Sequence, residues 1–140
     1  MKKVFYNSWL AKHFLPFAHT ITITAFVLTK RDRLPQSTIN HECTHARQWI
    51  EMAVASGLII WVLMLVFGMS AWWMLLAAAA FYVWYLAEFA VRFIILRDRR
   101  KTYKSISFEQ EARMAEHDDN YLENAHYFSW LHYLFRRSEQ

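Results

Sequence analysis

The chain has 140 residues, enough for one domain. Its composition is 56% hydrophobic and 18% aromatic with only 2 Gly and 2 Pro, which excludes loop-rich and disordered classes and favours helices. A single cysteine, Cys43, excludes an intrachain disulfide, and the net charge of +4 is concentrated at the ends of apolar segments rather than spread as a nucleic-acid-binding face.

Residues 1–18 mix aromatic and basic side chains and read either as a surface-lying amphipathic helix or as a packing segment. Met1-Lys2-Lys3 is basic, but no sustained apolar core follows, so no cleavable signal peptide is expected. Residues 20–29 (Thr-Ile-Thr-Ile-Thr-Ala-Phe-Val-Leu-Thr) alternate and are β-branched, which predicts one short strand. Its edge could hold an extended peptide, or it could simply cover a site. Lys30-Arg31-Asp32-Arg33 follows as a charged turn. Pro35 with Ser37 or Thr38 then marks the start of a helix over 37–50.

That helix carries His41-Glu42-Cys43-Thr44-His45, an H-E-x-x-H pattern. Residues four apart share a helix face, so both imidazoles can grip one Zn²⁺ ion, with Glu42 placed as general base toward a water. With 7 His and 8 Glu in the chain, chance predicts about 0.02 such matches. The bland alternative is an ordinary helix surface. Cys43 lies off the histidine face and reads as a packing residue.

From Met52 to Ala87 there are 36 residues without Asp, Glu, Lys or Arg, broken only by Gly68-Met69-Ser70. The pattern predicts a transmembrane hairpin over 51–96, with spans of about Glu51–Phe67 and Ala71–Leu96, the first continuing the motif helix. A hairpin buried in a soluble oligomer is the alternative, but Trp61, Trp72, Trp73, Tyr82, Trp84 and Tyr85 would then need extensive cover. Lys30, Arg31, Arg33 and Arg47 precede the hairpin, and Arg92, Arg97, Arg99, Arg100, Lys101 and Lys104 follow it. The positive-inside rule therefore predicts an inner-membrane protein with both termini cytoplasmic, and puts the motif on the same side as the C-terminal third. Glu88 and Arg92, four apart, are expected to pair.

Ser107 and Gln110 have capping-box spacing, predicting a glutamate helix over 107–117. Asp118-Asp119-Asn120 breaks it. An amphipathic helix over 121–137 should follow, with Arg136-Arg137 complementing its C-terminal dipole. The expected fold is thus mainly α: a membrane helical hairpin continuous with a minimal zincin-like helical core and one short N-terminal strand region, all in one membrane-embedded domain.

A catalytic zinc usually has a third protein ligand. Candidates downstream are Glu109, Glu111, Glu116, His117, His126 and His132. The longer H-E-x-x-H-x-x-G-x-x-H pattern is absent, because Gln48 and Glu51 occupy its last two fixed positions. The run Glu109-Gln110-Glu111-Ala112-Arg113-Met114-Ala115, taken with the motif, resembles the gluzincin class of zinc metallopeptidases. In its small and membrane-bound branches a second helix carries E-x-x-A-(D/N)-x-x-A. The chain is also similar, over roughly Ile21 to Leu134, to short bacterial integral-membrane proteins with a strand, an H-E-x-x-H helix, an apolar hairpin and an I-S-F-E-x-E-A helix. The resemblance implies Glu109 as third ligand. Glu111 is a rival, although it points about 200° around the helix. Arg113 stands where the class has an acidic residue that supports a zinc histidine, which leaves that support unassigned.

The implied activity is a zinc-dependent membrane metallopeptidase that hydrolyses peptide bonds near the cytoplasmic membrane face. Its partners are a peptide or protein substrate and the bilayer, without nucleic acid. The small size favours a homo-oligomer or a membrane partner. His126, Tyr121, His117 and Tyr127 are candidates to stabilise the oxyanion. The competing readings are a non-catalytic membrane regulatory or assembly module retaining a zinc site, and hydrolysis of a non-peptide amide such as a lipid. His13 and His19 are expected to be merely interfacial.

Overall fold

The computed structural model describes residues 4–6, 20–29, 32–118 and 120–135. The expected N-terminal amphipathic segment, apart from 4–6, lies outside them, as do His13, His19, Lys30, Arg31 and Arg136-Arg137.

The chain is mainly helical with a small three-stranded sheet. In order it forms β1 (Val4–Phe5), β2 (Thr20–Ile23), β3 (Phe26–Thr29), α1 (Gln36–Phe67), a 3₁₀ turn (Ala71–Met74), α2 (Leu75–Leu96), α3 (Arg99–Ser105), α4 (Ser107–Ala115), α5 (Tyr121–Asn124) and α6 (Leu131–Leu134).

One 32-residue helix, α1, carries the H-E-x-x-H motif and runs on into the apolar segment. No Gly or Pro interrupts it before Gly57, and it stops where Gly68 adopts the left-handed conformation, φ 62°. Gln36–Phe67 and Ala71–Leu96 are both long and apolar enough to cross a membrane. Only 11% and 17% of their most apolar windows are buried within the chain. Gly57 lies against the Ala77 methyl, where an added Cβ would be 3.6 Å away, and the Ser56 hydroxyl reaches the Ala77 carbonyl at 3.5 Å. The hairpin's inner seam is therefore close and its outer faces are bare.

The single strand expected over 20–29 is instead a hairpin. β2 and β3 are antiparallel with Ile23 opposite Phe26, and β1 adds in parallel on the far side of β3, giving the order β1-β3-β2. The turn falls at Thr24, whose φ is 55°, without the usual Gly, Asn or Pro. Its backbone N–H donates to the Tyr82 hydroxyl at 3.0 Å. A phenol 58 residues away thus supports the reversal, which local alternation does not reveal.

Two further expectations are corrected. Helix α4 ends at Ala115 rather than 117, and its capping box does not form. Ile106 is the N-cap, and the Ser107 N–H and hydroxyl both donate to Glu88 on α2, at 2.8 and 2.6 Å. Gln110 turns back to the Ser105 carbonyl at 2.6 Å. The basic run before it forms α3, capped by the Asp98 carboxylate at the N–H groups of Arg100 and Lys101. The long C-terminal helix is reduced to two single turns, α5 and α6. Glu51 accepts the Phe128 N–H at 3.0 Å, Arg47 donates to the His126 carbonyl, and Phe128 takes φ 59°. Those tertiary bonds hold the intervening chain out of a helix so that Trp130, 3% exposed, reaches the core.

That core is aromatic: Phe81, Ile106, Phe108 and Trp130, with Phe108 stacked on Phe81 at 4.7 Å and edge-on to Trp130 at 4.6 Å. Phe108 precedes Glu109. Burying its ring between the hairpin and α6 fixes the first turn of α4 against α1.

Candidate metal centre

His41 and His45 project from the same face of α1, and their Nε2 atoms stand 3.2 Å apart. Helix α4 brings Glu109 onto them. Its Oε1 lies 3.4 Å from His45 Nε2 and its Oε2 lies 3.7 Å from His41 Nε2. One ligand atom from each of the three residues falls within 4.8 Å of the others, the one such cluster among the described residues. A tetrahedral ion with ligands at about 2.0–2.1 Å needs neighbouring donors about 3.3–3.4 Å apart. The spacing therefore fits a first-row divalent ion.

The surrounding bonds leave the right atoms free. His41 Nδ1 meets Glu116 Oε1 at 2.7 Å, and His45 Nδ1 meets Gln48 Oε1 at 2.9 Å. Glu116 accepts only, and the Gln48 amide is fixed because its nitrogen donates to the Phe108 carbonyl at 3.1 Å and to Glu111 Oε2 at 2.8 Å. Both Nδ1 atoms then carry a proton, which leaves the Nε2 atoms as the ones turned toward each other and toward Glu109. Glu109 Oε2 is buried without a hydrogen-bond partner. Two Nε2 atoms in contact beside an orphaned buried carboxylate oxygen form an arrangement that a shared cation would bridge.

Burial alone would push the Glu109 carboxyl up. Hydrogen bonding and charge attraction from His45, then His41, then the Tyr103 hydroxyl outweigh it and hold the group below the usual carboxylate range. The Tyr103 phenol moves up, through partial desolvation and the Glu109 charge, and so stays a proton donor. Tyr85 also donates to Glu109 Oε1, at 3.0 Å.

Glu111 does not join the cluster. It accepts from Gln48 and, at 3.0 Å, from the Tyr121 hydroxyl, so it supports His45 at one remove. Its carboxyl is raised by burial, which the Gln48 and Tyr121 hydrogen bonds only partly oppose. Arg113 stacks near the Tyr103 ring, 5.9 Å from its centroid. The acidic partner of His41 is Glu116, seven residues after Glu109.

A cavity of about 340 Å³ opens over the cluster, lined among others by Thr22, Glu42, Trp49, Phe81, Tyr82, Tyr85 and Tyr103. Glu42 Oε2 accepts from the Thr22 hydroxyl at 2.5 Å, so β2 forms one wall and holds this carboxylate. Tyr121 and His126 do not line it. They face a separate cavity with Asp118, Ser129 and His132. His117 Nδ1 is bound to the Arg113 carbonyl, and Tyr127 is 82% exposed beside Arg47. The tyrosines that line the cavity over the cluster are instead Tyr82, Tyr85 and Tyr103, two of which lie in a segment whose apolar pattern signals only membrane helix. Cys43 is buried away from the cluster, facing the groove between α1 and Val27 of β3.

No protein-family model matches the chain, and neither curated proteins nor solved structures yield a match to it.

Proposed function

We propose that the chain is a zinc-dependent metallopeptidase anchored by the α1–α2 hairpin, spanning the inner membrane with both termini cytoplasmic and hydrolysing peptide bonds at the cytoplasmic face. The observation that carries this reading is the convergence of two Nε2 atoms and the orphaned Glu109 oxygen beneath a cavity that also holds Glu42. His41, His45 and Glu109 hold the metal, and two imidazoles with one carboxylate suit zinc among the divalent ions. Polarising the scissile carbonyl and acidifying the attacking water is the chemistry zinc supplies when bound.

Glu42 takes a proton from that water as its oxygen bonds to the carbonyl carbon, and returns it to the departing amine nitrogen as the C–N bond breaks. The Thr22 hydroxyl keeps Glu42 aimed into the cavity. Gln48 and Glu116 lock the imidazole tautomers. Tyr82, Tyr85 and Tyr103 offer the donors for the developing oxyanion, in place of the downstream His and Tyr residues that the sequence offered. The lysines and arginines flanking the hairpin favour a cytoplasmic site.

The test is zinc content and peptide cleavage in detergent-purified protein. Wild type should hold one zinc per chain, His45→Ala and Glu109→Ala should lose it, and Glu42→Gln should keep it while cleaving no better than buffer. A wild type that takes up no zinc after reconstitution would end the metal reading. Cleavage by Glu42→Gln at the wild-type rate would end the assigned role of Glu42.

A further inference from the structure

The three-stranded sheet is built inside out for a surface facing water. An antiparallel sheet with one face on the core normally turns apolar residues inward and polar ones outward. Here the face against α1 carries Thr22, Val27 and Thr29, with Val27 and Thr29 fully buried. The opposite face shows Ile23 at 46%, Phe26 at 39% and Phe5 at 51% exposure. Ile23 and Phe26 are register partners, and the Phe5 ring meets Phe26 edge-on at 5.7 Å, so these side chains form one patch.

The position of that patch along the hairpin identifies what covers it. The β2–β3 turn is bonded to α2 through the Thr24 N–H and the Tyr82 hydroxyl. Tyr82 lies within α2, roughly 11 Å by the helical rise from its start at Leu75 and roughly 21 Å from its end at Leu96. A bilayer's hydrocarbon layer is ~30 Å thick. If the hairpin spans it from the Gly68 end, the level of Tyr82 falls inside that layer. Val83 and Leu86, close to Tyr82 on α2, are likewise exposed apolar side chains, at 61% and 66%. Asp32, beyond the other end of the sheet, is exposed and charged.

We propose that the tip of the sheet is a third membrane-contacting element: Ile23, Phe26 and Phe5 enter the acyl layer of the near leaflet beside α2. The inference rests on the membrane-spanning part of the proposed function and not on its zinc chemistry. Its consequence is that the wall of the cavity formed by β2 and Tyr82 stands against lipid.

Site-directed spin labelling in lipid nanodiscs of phosphatidylcholine and phosphatidylglycerol tests it. Single cysteines Ile23→Cys, Phe5→Cys, Val83→Cys and Asp32→Cys are introduced in a Cys43→Ala background, and the collision of each nitroxide with oxygen and with a water-soluble nickel chelate is measured. Labels at 23, 5 and 83 should all be oxygen-accessible and several-fold less accessible to the chelate than the label at 32. Phe5 guards against a local disturbance at Ile23. If 23 and 5 resemble 32 while 83 is shielded, the sheet lies in water and the inference falls while the spanning hairpin stands. If 83 also resembles 32, the hairpin reading fails and takes this one with it. Labels at 23 and 5 shielded from both reagents would mean that a protein surface covers the patch, which also overturns it.

Discussion

Gln48 is the residue whose removal tests the metal centre most sharply. It is 1% exposed and makes three hydrogen bonds, to His45 Nδ1, the Phe108 carbonyl and Glu111 Oε2. Truncation to Ala strands all three partners in the interior. At about 1–3 kcal/mol for each group left unsatisfied, and allowing for partial relaxation, the fold should lose about 3–6 kcal/mol. His45 also loses the acceptor that holds its proton on Nδ1. Such outer partners are worth about 10–100-fold in metal affinity, equivalent to about 1.4–2.7 kcal/mol.

The two effects separate in the pair Gln48→Leu with Glu111→Met. Replacing both ends of the Gln48–Glu111 bond by apolar side chains of similar volume should restore much of the stability. It does not return an acceptor to His45, so zinc affinity should stay low. Thermal unfolding in detergent reports the first quantity, and competition for zinc against a chromophoric chelator reports the second. A Gln48→Ala protein with wild-type zinc affinity and wild-type unfolding temperature would refute both the tautomer lock and the buried network.

Three other outcomes follow from the same contacts. Glu116→Ala should weaken zinc binding less than Gln48→Ala, by roughly 3–10-fold, because the Glu116 side chain is 37% exposed and water can replace it; the same chelator competition ranks the two. Glu111→Gln should stabilise the protein near neutral pH: the folded carboxyl is raised, so the folded state binds more protons between the unfolded and folded pKa values and stability falls as pH rises through that window. The variant lacks that loss, so its advantage in unfolding temperature should vanish below the ordinary glutamate range near 4.3 and be greatest above the raised value. Glu88→Ala should cost about 3–5 kcal/mol, since it leaves Arg92 and the first turn of α4 without their buried carboxylate; hydrogen exchange at Ser107, Phe108 and Glu109 should accelerate together, whereas exchange confined to α2 would contradict the capping role.

The sequence alone determined the features that depend on local period and charge. The H-E-x-x-H spacing puts two imidazoles on one face of any helix, and a 36-residue uncharged run with one glycine break reads as two apolar helices wherever it folds. The Glu88–Arg92 pair is likewise set by spacing and is present at 2.7 Å. Only the tertiary structure set Glu109 rather than Glu111 beside the two histidines. Both lie on one short helix, and the choice depends on its rotation, which Glu88 at its N-terminus and Phe108 in the core set from outside. Gln48 and Glu116 became visible as supports for the histidines only when α4 came to rest on α1. The turn at Thr24 and the broken C-terminal segment follow the same rule: each is held by a hydrogen bond to a residue more than 50 positions away, and an interaction of that kind leaves no periodic trace in the segment it shapes.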